Sequence, residues 1–181
     1  MLRSVLLRVR VFRLCSAVVW PLALLFVYPL SLLKKKNPGG LFFLFDRYCI
    51  GGAQGVFLDI LAAVEDSPKQ LYFTRRPADS GLKHLFYAVP NTEIREIDFW
   101  TCNPLLRFFA VHFYAFYINR HRGARVLGSN STFFYDLVPF LSRKVRSIDL
   151  FHNFQNYGNH GFQFYGLATC RHLDVRVVVD R

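Results

Sequence analysis

Short, continuously apolar runs alternate with segments of helical period along most of this chain. Leu41-Phe42-Phe43-Leu44-Phe45 has no polar position and reads as a parallel strand buried on both faces. Gly51 to Val64 then reads as a helix, and Gln70 to Thr74 as a second strand. Ser80 to Ala88 is a short helix closed by Pro90, and Glu93 to Phe99 alternates weakly as a third strand. Asn103-Pro104 supplies an N-cap and a proline at the first helical position for a long aromatic helix ending near Arg120. Arg125-Val126-Leu127 is a fourth strand. Thr132 to Leu141 is a helix that Asn130 or Ser131 can cap, Ser147 to Phe151 a fifth strand and Val175 to Val179 a sixth. Strands that alternate with helices demand right-handed crossovers. The pattern therefore predicts an α/β fold, a single Rossmann-like doubly wound parallel sheet.

The front of the chain departs from this pattern. Leu14 to Leu33 is an uncharged, mostly apolar run long enough in principle to cross a bilayer. Pro21 and Pro29 lie inside it, and each removes a backbone donor. The formal net charge is +11, of which residues 1–36 supply +7 without a single acid. Basic residues stand on both sides of the run, so charge asymmetry selects no orientation. A hairpin-like or interfacial insertion keeps both basic flanks on one side. A helix docked on the domain's own core is the alternative, and no small-residue cleavage site marks a signal peptide. Asn37-Pro38-Gly39-Gly40 is a breaker cluster. The chain thus divides into a basic, apolar membrane-associating segment, 1–36, and an α/β domain, 37–181.

Charge placed around an apolar run argues for an anionic membrane surface and against a nucleic-acid partner, since no basic stripe is interleaved on one face. The cysteines Cys15, Cys49, Cys102 and Cys170 are scattered, with no zinc spacing, which fits a reducing cytoplasmic setting. His152 and His160 are not at a helical metal spacing and no acidic cluster joins them, so no protein-held metal is expected.

Candidate chemistry gathers where strands end. Gly51-Gly52-Ala53-Gln54 opens a helix after the first strand, and paired glycines there let backbone N–H groups approach a phosphate. The same pair also suits a bare tight turn. It is neither a GxGxxG nor a P-loop. His152 follows the fifth strand, where a neutral imidazole orients or accepts a proton from a hydroxyl. On position alone it reads more readily as an idle loop histidine. Ser129 and Asn130 are candidates to touch an acceptor, although capping explains Ser129-Asn130-Ser131 by itself. Asp149 reads as a strand-edge charge or a partner for Arg146.

Leu41–Phe45 followed by Gly51-Gly52-Ala53-Gln54-Gly55-Val56-Phe57-Leu58-Asp59-Ile60 resembles the opening of the family 4 glycosyltransferases of the GT-B fold. The stretch from Val126 to Pro139 and Ile148-Asp149-Leu150-Phe151-His152 are similar to a subgroup of these enzymes, in the same order. The resemblance implies the N-terminal, acceptor-side half of a retaining transferase that moves a sugar from a nucleotide-sugar to a hydroxyl of a glycan or lipid-linked acceptor. It implies a donor-phosphate role for Gly51, Gly52, Ala53 and Gln54 and a catalytic role for His152. The nucleotide-sugar is then a substrate, and this domain binds no cofactor of its own. In that family most donor contacts lie in a C-terminal domain that follows the first. No second set of strands exists here, so the expectation is a chain inactive without a separate C-terminal half. Its expected place is the inner face of the cell membrane. The competing class is a non-catalytic, membrane-associated α/β binding or assembly module.

Overall fold

The computed structural model describes residues 2–48, 52–76, 80–152 and 162–179. Helices α1 (Leu2–Leu22) and α2 (Tyr28–Leu33) lead to strand β1 (Leu41–Phe45), helix α3 (Gly52–Ala62), β2 (Lys69–Phe73), α4 (Lys83–Ala88) and β3 (Thr92–Glu96). Helices α5 (Asp98–Cys102) and α6 (Pro104–Asn119), β4 (Arg125–Ser129), α7 (Thr132–Leu137), β5 (Arg146–His152), α8 (Phe162–Thr169) and β6 (Val175–Val179) follow. The strands form one sheet, β3-β2-β1-β4-β5-β6, with every pairing parallel. The predicted doubly wound parallel sheet is the observed one. From β1 the chain winds outward to β3, then returns to β4 and winds the other way. Crossovers of constant hand therefore place the two sets of helices on opposite faces.

Strand periodicity sorts the core into two halves. Phe43, Phe45, Leu71, Phe73 and Leu150 pack against Phe57 and Leu61 of α3 and Phe86 of α4. Phe42, Leu44, Tyr72 and Val126 face the other way, onto α6 and α7. There Gly128 is required by its neighbour, because a Cβ at that position would lie 2.1 Å from the ring of Phe134. Asn103 caps α6 by accepting from the amides of Leu105 and Leu106 at 3.0 and 3.2 Å. Ser131, not Asn130, caps α7 through the amide of Phe134 at 3.3 Å. Asn130 instead takes the left-handed conformation, φ 51°, that turns the chain out of β4.

The front segment forms a third layer outside α6. It runs without reversal through α1, a π-helical segment Ala23–Val27 and α2, so the two prolines produce no hairpin. Tyr28 donates to Ala23 five residues back, and the wide turn accommodates the missing N–H of Pro29. The layer lies parallel to α6: Phe12 stacks on Phe108 at 4.6 Å, Trp20 meets Phe116 at 5.1 Å, and Arg120 donates to the carbonyls of Ser31 and Lys34. Val9, Ser16, Ala23, Val27 and Ser31 form the buried inner stripe. The opposite stripe is also apolar and lies open, with Leu14 69% and Val18 79% exposed and Leu22, Leu25 and Leu30 beside them.

A buried base, His112, and a half-buried one, Lys34, sit under this layer. The His112 ring lies among Trp20, Phe116 and Phe140, and among the described residues neither of its nitrogens has a hydrogen-bond partner. Lys34 Nζ lies 4.4–5.2 Å from the ring centres of Tyr72, Tyr114 and Tyr117 and donates to the Tyr72 hydroxyl at 2.7 Å. Burial lowers the His112 pKa, and burial, then the Arg95 charge, lowers that of Lys34 to about 7. In both cases the unfolded chain binds the proton more readily. Stability from Lys34 is therefore complete above its unfolded value of 10.5 and is lost as pH falls towards 7, and that from His112 declines below 6.5. We expect the melting temperature to drop on acidification across both windows. A His112→Phe, Lys34→Met variant should flatten that profile, and Trp20 fluorescence in a Trp100→Phe background reports the interface locally. An unchanged pH profile would remove these two bases from the account.

Candidate functional site at the carboxyl edge of the sheet

Strand order reverses between β1 and β4, so the chain leaves these neighbours toward opposite faces and opens a crevice beyond their carboxyl ends. The floor of the crevice is tied laterally. Thr74, just past β2, donates its amide to Phe45 O at 2.9 Å, and its hydroxyl lies 2.8 Å from Ser131 Oγ. Arg75 donates its amide to Asp46 O at 2.8 Å, and its guanidinium stands 3.8 Å from the Asp46 carboxylate. Arg47 approaches the same carboxylate at 3.1 Å.

Gly52, Ala53 and Gln54 form the first turn of α3, with Gly52 exposed and the other two half-buried. Gly51 lies outside the described residues, as does His160. Ser129 ends β4; it is fully buried, and its hydroxyl has no partner among the described residues. Asn130 follows it, half-buried. The backbone of His152 ends β5, paired with Val179 of β6. All these positions lie at one edge, because every strand is parallel. The start of α3 and the end of β5 are not immediate neighbours along this edge. β4 intervenes between β1 and β5, so Ser129 and Asn130 stand between them.

Asp149 is corrected. It is fully buried, accepts from Tyr135 Oη at 2.9 Å and from Arg176 Nε at 3.0 Å, and has no contact with Arg146. Burial raises its pKa against the pull of these donors. Glu96, at the end of β3, accepts from Lys83 at 2.9 Å, Tyr48 at 3.1 Å and Tyr87 at 3.2 Å. Burial works to raise its pKa, but these donors hold it below the ordinary carboxylate value.

The most ionic part of this edge escaped the sequence reading. Arg107, near the start of α6, binds Asp136 of α7 at 2.6 Å, donates to Thr101 O at 2.9 Å and to Thr132 Oγ1 at 3.1 Å. Burial raises the Asp136 pKa while Arg107 opposes the rise. The signal was present: Arg107 is the one formal charge between Pro104 and Asn119, and a lone charge in such a helix needs a partner. This pair lines a cavity of about 610 Å³ between the carboxyl edge and α1, with Arg8, Val11 and Phe12 on the helix side and Arg75 on the sheet side.

No protein-family model, curated protein or solved structure matches this chain. Among the described residues, no three His, Cys, Asp or Glu side chains are placed to hold a metal ion.

Arg107→Met leaves the Asp136 carboxylate buried without its cation and should cost about 3–5 kcal/mol. Arg107→Met combined with Asp136→Leu should recover most of that loss. Denaturant unfolding of the two variants checks both. Equal loss in single and double variants would mean that packing, not the ion pair, is responsible.

Proposed function

We propose that this chain is the acceptor-side domain of a nucleotide-sugar-dependent glycosyltransferase that works at the cytoplasmic face of a membrane. One observation carries the reading. The sheet order puts the first turn of α3, the Ser129-Asn130 turn and the strand-end His152 on three successive strands, β1, β4 and β5, at one edge. That is where open α/β sheets bind ligands. In this reading the start of α3 faces the donor diphosphate, where the helix dipole and the close backbone approach that Gly52 allows favour negative charge. Ser129 and Asn130 contact the acceptor, and His152 orients its hydroxyl or takes its proton. The donor nucleotide is held mainly by a second domain of the same type across the crevice.

The test is sugar transfer from a labelled nucleotide-sugar to lipid-linked glycans, with a nucleotide-sugar-binding C-terminal domain supplied. His152→Ala should slow transfer about 10²–10⁴-fold if the imidazole is the base. Gly52→Leu should raise the donor concentration needed for half-maximal rate. Transfer unaffected by both changes would sink the assignment.

A second reading, a non-catalytic membrane-bound module, is favoured by the open apolar stripe on α1. Both readings place that stripe on an anionic bilayer. Val18→Glu with Leu25→Glu touches only the outer face, so it should abolish flotation with anionic vesicles and leave the melting temperature nearly unchanged. Undiminished flotation would assign the stripe to another partner.

A further inference from the structure

We propose that the cavity between α1 and the carboxyl edge binds the phosphate head group of a single membrane lipid, whose hydrocarbon chain leaves along α1. The inference rests on the membrane part of the reading above and not on sugar transfer.

The cavity, about 610 Å³, has both charged and apolar lining. Its charged lining comprises the guanidinium groups of Arg8, Arg75 and Arg107 and the single carboxylate of Asp136, a surplus of two positive charges. These cations differ in freedom. Arg107 is fixed by Asp136, Thr132 and the Thr101 carbonyl, so it acts as a stationary charge. Arg75 is 43% exposed and only loosely held by Asp46 at 3.8 Å. Arg8 is exposed, has no carboxylate partner among the described residues, and lies 5.9 Å from the Tyr165 ring. Two exposed, loosely held guanidiniums beside a fixed one suit an anion with several oxygens, because each guanidinium can present two parallel N–H groups to a phosphate.

Much of the remaining lining is apolar. Leu7, Val11 and Phe12 of α1 and Phe108 of α6 line the cavity, and Phe12 and Phe108 stack at 4.6 Å. Leu7 and Val11 are themselves exposed, and they continue into the open stripe of Leu14, Val18 and Leu22. A phosphate in water would use the arginines and leave this wall wet. A lipid phosphate uses both, with its head at Arg75 and its chain following α1 out to the bilayer. The charge of the pocket and the apolar exit from it thus point to the same amphiphile.

The test uses the full chain and phosphatidylcholine vesicles carrying phosphatidic acid, a polyprenyl phosphate or phosphatidylglycerol at equal charge density. The two terminal phosphates should bind about tenfold more tightly than phosphatidylglycerol, whose phosphate is doubly esterified. Arg8→Gln with Arg75→Gln should erase this preference while leaving general anionic binding. Val11→Trp, which fills the apolar wall and removes no charge, should erase it too; melting curves confirm that both variants fold. Equal affinity for all three vesicles would reduce the site to diffuse surface charge and overturn the proposal. Inorganic phosphate that displaces phosphatidic acid selectively would assign the pocket to a soluble anion and overturn it likewise. No binding to any of these vesicles would remove the membrane reading and this inference together.

Discussion

Helix α6 is the member on which the rest of the molecule depends. The parallel sheet is apolar on both faces, and α6 covers the centre of one of them with Val111, Tyr114, Ala115 and Ile118. A helix with buried groups only on that side would complete the layer. α6 is apolar around almost its whole circumference, and its outer face, with His112 and Phe116, needs a cover of its own. The front segment provides it. The third layer is therefore a consequence of the composition of α6 rather than an appendage, and the ionic cavity exists because that layer ends over the carboxyl edge.

The strand and helix pattern was legible because buried parallel strands and amphipathic helices have different periods. The five-residue apolar run of β1 and the Asn103-Pro104 start of α6 each announced one element with one physical signature. Boundaries were less legible. Phe99 read as the end of a strand, whereas α5 begins at Asp98. The sequence there has no glycine or proline to separate strand from helix, and the turn at Ile97 is set by its burial against the core.

Much less of the candidate site could be read. Gly52, Ser129, Asn130 and His152 were recognisable as strand-end positions, and a parallel sheet necessarily collects them at one edge. Their lateral order depends on which strand pairs with which, and no local pattern encodes that β4 rather than β5 sits next to β1. The Arg107–Asp136 pair spans two helices, and the lining by Arg8 spans the length of the chain. Such groupings arise only from tertiary packing. Asp149 shows the same limit: the nearest arginine in sequence is not its partner, because Arg146 sits on the same strand three residues away and points to the other face.

The parallel alignment of α1 with α6 also has a consequence for biosynthesis. The two segments that stack at Phe12 and Phe108 are far apart in the chain, and α1 leaves the ribosome first. At a synthesis rate of about 5–20 residues per second, α1 waits about 5–20 s for its protein cover. During that interval both of its apolar stripes are bare. α6 can only arrive later, and it takes the inner one alone. The third layer can therefore close only after α6 has been made, so the first segment synthesised is among the last to be packed.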